Sequence, residues 1–201
     1  MKNKDTSFRK QFELNNKVAV VTGGTGILGK RFCAGLAEFG AKVAVVDLDE
    51  SNVVAYANEL QEVYGVECVG VACDVRQAES VKNMTVNVEN ILGPIEILHN
   101  NAASKGSDLK KFLAPLEEYS LDTWNEVMSV NLDGMFLVAQ AIGSKMAERG
   151  CGSIIQTASI YGSTMSPDQN IYEGSEYMGM HINTPPVYPA SKGGVVGLTN
   201  Y

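Results

Sequence analysis

The chain has 201 residues, with 16 Lys and Arg against 23 Asp and Glu, a net charge of −7. That length suits one domain with a sizeable core, or at most two small ones, and a content of 45% apolar and 19% charged residues argues against intrinsic disorder. An acidic chain without a basic block is unsuited to nucleic acid. No apolar run approaches the roughly 18 to 20 residues of a membrane span. The first residues, MKNKDTSFRKQFELNN, are polar and lack the apolar stretch of a secretion signal. The chain is therefore expected to be cytoplasmic, with no membrane partner. Cys33, Cys68, Cys73 and Cys151 are scattered, and with His99 and His181 they make no zinc spacing. They read as reduced, packed small residues, and no metal is expected.

Residues 1–16 form a polar extension, and 17–201 read as one domain. Lys17 to Thr22 is a β-branched, continuous apolar run and predicts a buried strand. Ile27 to Phe39 follows as a helix that Gly40 ends in the left-handed region. Lys42 to Val46 is a second strand, Glu50 to Tyr64 a second helix, and Glu67 to Cys73 a third strand. Ala78 to Leu92 predicts a third helix, Ile95 to His99 a fourth strand, Leu121 to Arg149 a long helix, and Ser153 to Thr157 a fifth strand. The alternation implies parallel strands joined by right-handed crossovers. Strands that are apolar throughout imply helices on both faces of the sheet. The expected fold is α/β: a Rossmann-type, doubly wound parallel sheet in three layers, α/β/α.

Thr22, Gly23, Gly24, Thr25, Gly26, Ile27, Leu28 and Gly29 lie between the first strand and the first helix, and Gly24, Gly26 and Gly29 match G-x-G-x-x-G. Glycines allow a tight turn and close approach of backbone to a pyrophosphate, and the helix N-terminus offers it unpaired N–H groups. Asp47 closes the second strand eighteen residues past Gly29. A carboxylate there accepts from ribose hydroxyls and repels a 2′-phosphate. Leu48, Asp49, Glu50 and Ser51 supply no cation to offset it, so NAD is expected over NADP. Asp74, after the third strand, either accepts from an adenine amino group or caps the next helix. Leu48 and Val75, beside these two carboxylates, are taken as cofactor contacts with them.

Tyr188 and Lys192 form Y-x-x-x-K and share a helix face. A free phenol has a pKa of about 10, and a nearby ammonium lowers it toward useful general acid/base chemistry. Because the residue before a proline avoids the helical region, Pro189 places Tyr188 at the N-cap, with Lys192 one turn inside. By spacing alone, the two could equally be a surface pair.

From Lys17 onward the chain resembles the short-chain dehydrogenase/reductase family. The motifs that carry the resemblance occur in order: the turn at Thr22–Gly29, Asp74, Asn100-Asn101-Ala102, Asn131, Ser159, then Tyr188 and Lys192. The resemblance implies that Tyr188 is the catalytic acid/base and that Lys192 holds the nicotinamide ribose and tunes Tyr188. It implies that Ser159 orients the reacting oxygen and that Asn131 holds a relay water. Asn101, Ala102 and Ala103 would lie along the cofactor. The implied activity is NAD-dependent interconversion of a secondary alcohol and a ketone on a small, polar, sugar-like substrate, by a homodimer or homotetramer. Trp124, Met128, Met135, Phe136 and Val138 on the long helix could form the dimer face or, for most of them, core. Two other readings remain: a sugar-nucleotide epimerase or dehydratase, and a non-catalytic NAD-binding fragment.

The chain departs from the family in four ways. Ile27 replaces the second glycine of the commonest single-domain turn, and Ala103 replaces the glycine of Asn-Asn-Ala-Gly. Tyr188 stands twenty-nine residues beyond Ser159, farther than usual. The intervening 162–186 stretch, with Asp168, Gln169, Asn170, Tyr172, Glu173, Glu176, Tyr177, His181 and Asn183, is expected to be a substrate loop. The chain ends at Tyr201, where the family continues with further strands, so the C-terminal strands are expected to be missing, the fifth strand an open edge and the pocket unfinished.

Overall fold

The computed structural model describes residues 8–165 and 169–201. Strands β1 (Val18–Thr22), β2 (Lys42–Asp47) and β3 (Cys68–Ala72) alternate with helices α1 (Ile27–Glu38), α2 (Glu50–Tyr64) and α3 (Ala78–Leu92). Strand β4 (Ile95–Asn100), helices α4 (Leu109–Phe112), α5 (Leu121–Met128) and α6 (Met135–Arg149), and strand β5 (Ser153–Gln156) follow. A two-stranded hairpin, β6 (Glu176–Tyr177) with β7 (Met180–His181), precedes α7 (Val187–Asn200). The main sheet is parallel throughout, in the order β3-β2-β1-β4-β5. This is the doubly wound, Rossmann-type architecture expected from the alternation. The order reverses between β1 and β4, and ligands in such sheets bind outside the carboxyl ends of the strands at that point.

Apolar residues run through β1 and β2 because both faces are covered. Val18 and Val20 of β1, with Ala44 and Val46 of β2, pack into a core completed by Val81, Met84 and Val88 of α3 and by Val138, Ile142 and Met146 of α6. The alternate residues Ala19, Val21, Val43 and Val45 face the other way, against Cys33 and Ala37 of α1 and Val53 and Leu60 of α2. The polar extension joins this second core at its end, where Leu14 packs and its N–H donates to the Phe39 carbonyl at 2.7 Å. Glu89 of α3 ties the helices of the first face together. It receives Lys145 at 2.7 Å and Arg149 at 2.9 Å. Burial alone would raise its carboxyl pKa, but these two cations hold it below the usual range.

The predicted helix at Leu121 to Arg149 is continuous but not uniform: Ser129–Gly134 adopts a π-helix between α5 and α6. The whole stretch is long and apolar enough, by length and composition, to cross a membrane, with a mean hydropathy of 1.2 in its most apolar window. That corrects the expectation that no such stretch exists. In this fold its Val138, Ile142 and Met146 pack against the sheet and α3. Of the five residues considered for a dimer face, Met135 and Val138 are buried, Trp124 and Met128 pack against a third cluster, and Phe136 is exposed. β5 is the last strand of the described sheet, with Ile154 and Ile155 exposed.

Candidate active site

The site is assembled at the carboxyl ends of β1, β2, β3, β4 and β5. After β1 the chain turns at Gly23, in the left-handed region at φ 63°, rather than at Gly24, the first glycine of the matched motif. Gly26 is the N-cap of α1, and no side chain caps that helix start. At Gly29 a Cβ would lie 1.9 Å from the Gly23 carbonyl oxygen, so glycine there is a packing requirement of the turn. Thr22 is fully buried and acts as a strut. Its hydroxyl donates to Asn100 Oδ1 at 3.2 Å and accepts from the N–H groups of Asn101 at 2.9 Å and Ala102 at 3.1 Å.

The turn opens onto a cleft of about 770 Å³. Of the residues expected at the cofactor, Gly23, Thr25, Gly26, Ile27, Leu28, Gly29, Asp47, Leu48, Asp74, Val75, Asn101, Ala102, Ala103, Tyr188 and Lys192 line it. Thr22 and Gly24 stand behind its wall, where Gly24 N–H donates to the Val46 carbonyl at 2.9 Å. Asp47 Oδ2 accepts from the Thr25 N–H at 3.1 Å and from its hydroxyl at 2.5 Å, which ties the tip of β2 to the glycine turn. Asp74 is paired instead with Arg76, whose Nη2 reaches it at 2.7 Å and holds its carboxyl below the usual carboxylate range. Arg76, Lys105, Val130 and Thr157 also line the cleft, although nothing in a linear motif singles them out. Arg76 could have been found only as a cation two residues past Asp74.

The cleft fits a dinucleotide on this chain's own observations. Its volume falls in the range of small-molecule sites, roughly 300–1,000 Å³. An uncapped helix N-terminus at its wall offers N–H groups to an anion, and the turn behind it has no room for a side chain at Gly29.

Tyr188 and Lys192 both line the cleft. Tyr188 is the second residue of α7, not its N-cap. Pro186 already has helical angles (φ −61°, ψ −30°), and Tyr188 N–H donates to the Pro185 carbonyl at 3.1 Å. Pro189 is tolerated because first-turn N–H groups have no acceptor within the helix. Lys192 is 3% exposed, and its Nζ donates to the Thr157 carbonyl at 2.7 Å. Burial pushes its ammonium pKa below the ordinary lysine value. The Thr157 hydroxyl donates to Asn101 Oδ1 at 3.2 Å and lies 3.3 Å from His99 Nε2. One residue at the end of β5 thus fixes both Lys192 and the Asn101 strand end. His99 stacks on Phe32 at 3.9 Å, and burial lowers its pKa.

Asn131 sits in the π-helix, 1% exposed. Its Oδ1 accepts from Ser104 N–H at 2.7 Å and its Nδ2 donates to the Ser104 carbonyl at 3.2 Å, so it fastens the loop after β4 to the helix. Ser159 caps a 3-10 turn, Ile160–Gly162, by accepting from Tyr161 N–H at 3.3 Å. A Cβ on Gly162 would lie 2.4 Å from Gly193 N and from the Lys192 carbonyl carbon, so this glycine lets the Ser159 turn close onto α7.

The 162–186 segment contributes to a second cavity of about 380 Å³, which shares Ala103, Ser104, Lys105 and Tyr188 with the cleft. Tyr172 and Asn183 from the expected substrate loop reach it. Glu173, Glu176, Tyr177 and His181 are exposed. Asp168 and the Gln169 side chain lie outside the described residues. Tyr188 therefore stands on the wall common to both cavities.

A sequence model of the family described as short chain dehydrogenase matches residues 17–181. D-threitol dehydrogenase of Mycolicibacterium smegmatis is 37% identical over 188 residues, which cover 94% of this chain and 64% of that protein. Nodulation protein G of Azospirillum brasilense is 34% identical over 186 residues, covering 92% and 67%. The crystal structure of an NAD+-bound xylitol dehydrogenase superposes with a TM-score of 0.77 at 30% identity, covering 92% of this chain and 63% of that one. The chain thus spans about two thirds of the length of these relatives. With most of its length matched, this chain belongs to the short-chain dehydrogenase family.

Proposed function

We propose that this chain binds NAD in the large cleft and interconverts a secondary alcohol and a ketone, with Tyr188 as the acid/base. The observation that carries the reading is the position of Tyr188 on the wall shared by the two cavities, one helical turn from Lys192. The larger cavity takes the dinucleotide, and the smaller takes the substrate. NAD supplies the hydride acceptor, or as NADH the donor.

The chain's own groups handle the proton and the charge. In the oxidation direction Tyr188 Oη takes the hydroxyl proton of the alcohol, and in reduction it returns one to the carbonyl oxygen. Among the described residues no carboxylate pairs with the buried Lys192, whose Nζ is held by the Thr157 carbonyl one helical turn from Tyr188. Ser159 Oγ retains its own O–H to donate to the substrate oxygen as charge develops there. Asn131 keeps Ser104 and the loop after β4 in place, and a relay water on it remains part of the proposal. Asp47, next to the glycine turn, supports NAD over NADP, because a carboxylate accepts from a ribose hydroxyl and repels a phosphate in its place. The names of D-threitol and xylitol dehydrogenases support an alcohol or ketone substrate.

The test is turnover with NAD+ and NADP+ over a panel of alcohols, comparing the protein with Tyr188→Phe. The proposal expects at least a hundredfold loss in kcat, with NAD+ affinity changed less than threefold. Equal rates in the two proteins remove Tyr188 from its role. Equal affinity for NADP+ removes Asp47 from its role.

A further inference from the structure

Resting on the reading of Tyr188 as the reacting group, we infer that the smaller cavity selects an uncharged ketone or alcohol with a compact apolar body, such as an alicyclic ketone, over an open-chain polyol or ketose. The walls carry the argument. Phe112, Leu113, Ile182 and Pro185 face the cavity, and the rings of Tyr161 and Tyr172 complete it. Part of the polar capacity on these walls is already engaged within the protein. Both ends of the Asn131 amide are engaged by the Ser104 backbone. Asn183 Nδ2 donates to the Ala114 carbonyl at 3.1 Å. The Tyr161 and Tyr172 phenols interact with each other, which raises the Tyr161 pKa, and one of the two O–H groups remains free to donate. Ser104 Oγ accepts from Gly106 N–H at 2.9 Å and keeps its own O–H to donate.

A polyol entering such a space gives up water at every hydroxyl and does not recover a partner for each, whereas one carbonyl needs only the donor at Tyr188. Lys105 is the one charged side chain on the cavity's walls among the described residues. It is exposed and also lines the dinucleotide cleft, so it sits where the two cavities meet rather than deep in the smaller one. A buried carboxylate on the substrate would therefore have no counter-charge beyond that mouth. The 162–186 segment supplies Tyr172, Ile182 and Pro185, half of these apolar and aromatic walls.

The experiment is ligand-observed NMR titration of the chain saturated with NAD+, with 3-methylcyclohexanone and erythrulose as probes. The inference expects a Kd for methylcyclohexanone at least tenfold below that for erythrulose. It also expects Ile182→Asn to raise the methylcyclohexanone Kd at least fivefold, Ile182→Leu to change it less than twofold, and both variants to keep the NAD+ Kd within twofold. The unchanged NAD+ Kd shows that the variants are folded. Erythrulose binding as tightly as the cyclic ketone overturns the inference, as does binding of neither probe or indifference to Ile182→Asn. The NAD+ titration is read first and separately. Saturable NAD+ binding with the wrong probe preference overturns only the substrate class, while no NAD+ binding overturns the dinucleotide proposal and this inference with it.

Discussion

Lys192 and Thr157 illustrate how single residues organise this site. The lysine was legible in the sequence through its spacing from Tyr188, but its anchor was not. The partner is a backbone carbonyl thirty-five residues away, and no side-chain pattern marks a carbonyl. Asp47 was legible as a carboxylate ending a strand, and here it also clamps Thr25. Asp74 lines the cleft and forms an ion pair with Arg76, which its place after a strand does not reveal. Among the glycines, Gly29 was visible by motif, but its reason emerges only from the 1.9 Å approach to Gly23 O. Gly29→Ala has to push α1 away from the turn. We expect NAD+ affinity to drop at least tenfold and the thermal midpoint to fall with it, measured by calorimetric titration and by thermal melting. Unchanged NAD+ affinity would show that the turn does not face the ligand.

At the scale of elements, the five long strands and the first three helices follow from apolar runs and glycine ends, and the observed bounds differ by one residue at one end of α1 and of each strand, and at both ends of β3. The π-helix at Ser129–Gly134 was not legible, because the helical period runs through it without a break. A tertiary hydrogen bond meets the chain just past it. Asn100, fully buried at the end of β4, donates to the Met135 carbonyl at 2.8 Å and accepts from Thr22. One amide thus binds β1, β4 and α6 at the floor of the site. Asn100→Ala leaves the Met135 carbonyl and the Thr22 hydroxyl short of partners in a dry interior, at a cost of about 2–4 kcal/mol. A urea midpoint reads this directly, and a loss below 0.5 kcal/mol would show that water replaces the amide there. The start of α7 was misplaced for a local reason: the bias of a residue before proline against helix yields to Pro186, which has already begun the helix.

The molecule as a whole buries several acids in their neutral form. Burial pushes the Cys33 thiol up to about 12, and Tyr56 and Tyr119 are likewise raised to about 12. Cys68 and Cys73 shift upward for the same reason. Groups whose pKa is raised on folding support the fold fully below their unfolded values, 9.0 for the thiols and 10.0 for the phenols. That support is lost as pH rises through the folded values, because only the unfolded chain releases its protons readily. Stability should therefore fall from about pH 9 toward pH 12, and Cys33→Ala should flatten the early part of that decline. Urea midpoints at pH 8, 9 and 10 check it, and a flat profile would contradict it.

The same molecule-wide arrangement, two cavities meeting at Tyr188, is tested most directly by a crystal structure of the protein soaked with NAD+. The account predicts the pyrophosphate against the N-terminus of α1 and the nicotinamide ribose within hydrogen-bond reach of Tyr188 Oη and Lys192 Nζ. A dinucleotide lying in the cleft with its nicotinamide end away from Tyr188, or bound elsewhere on the surface, would contradict it.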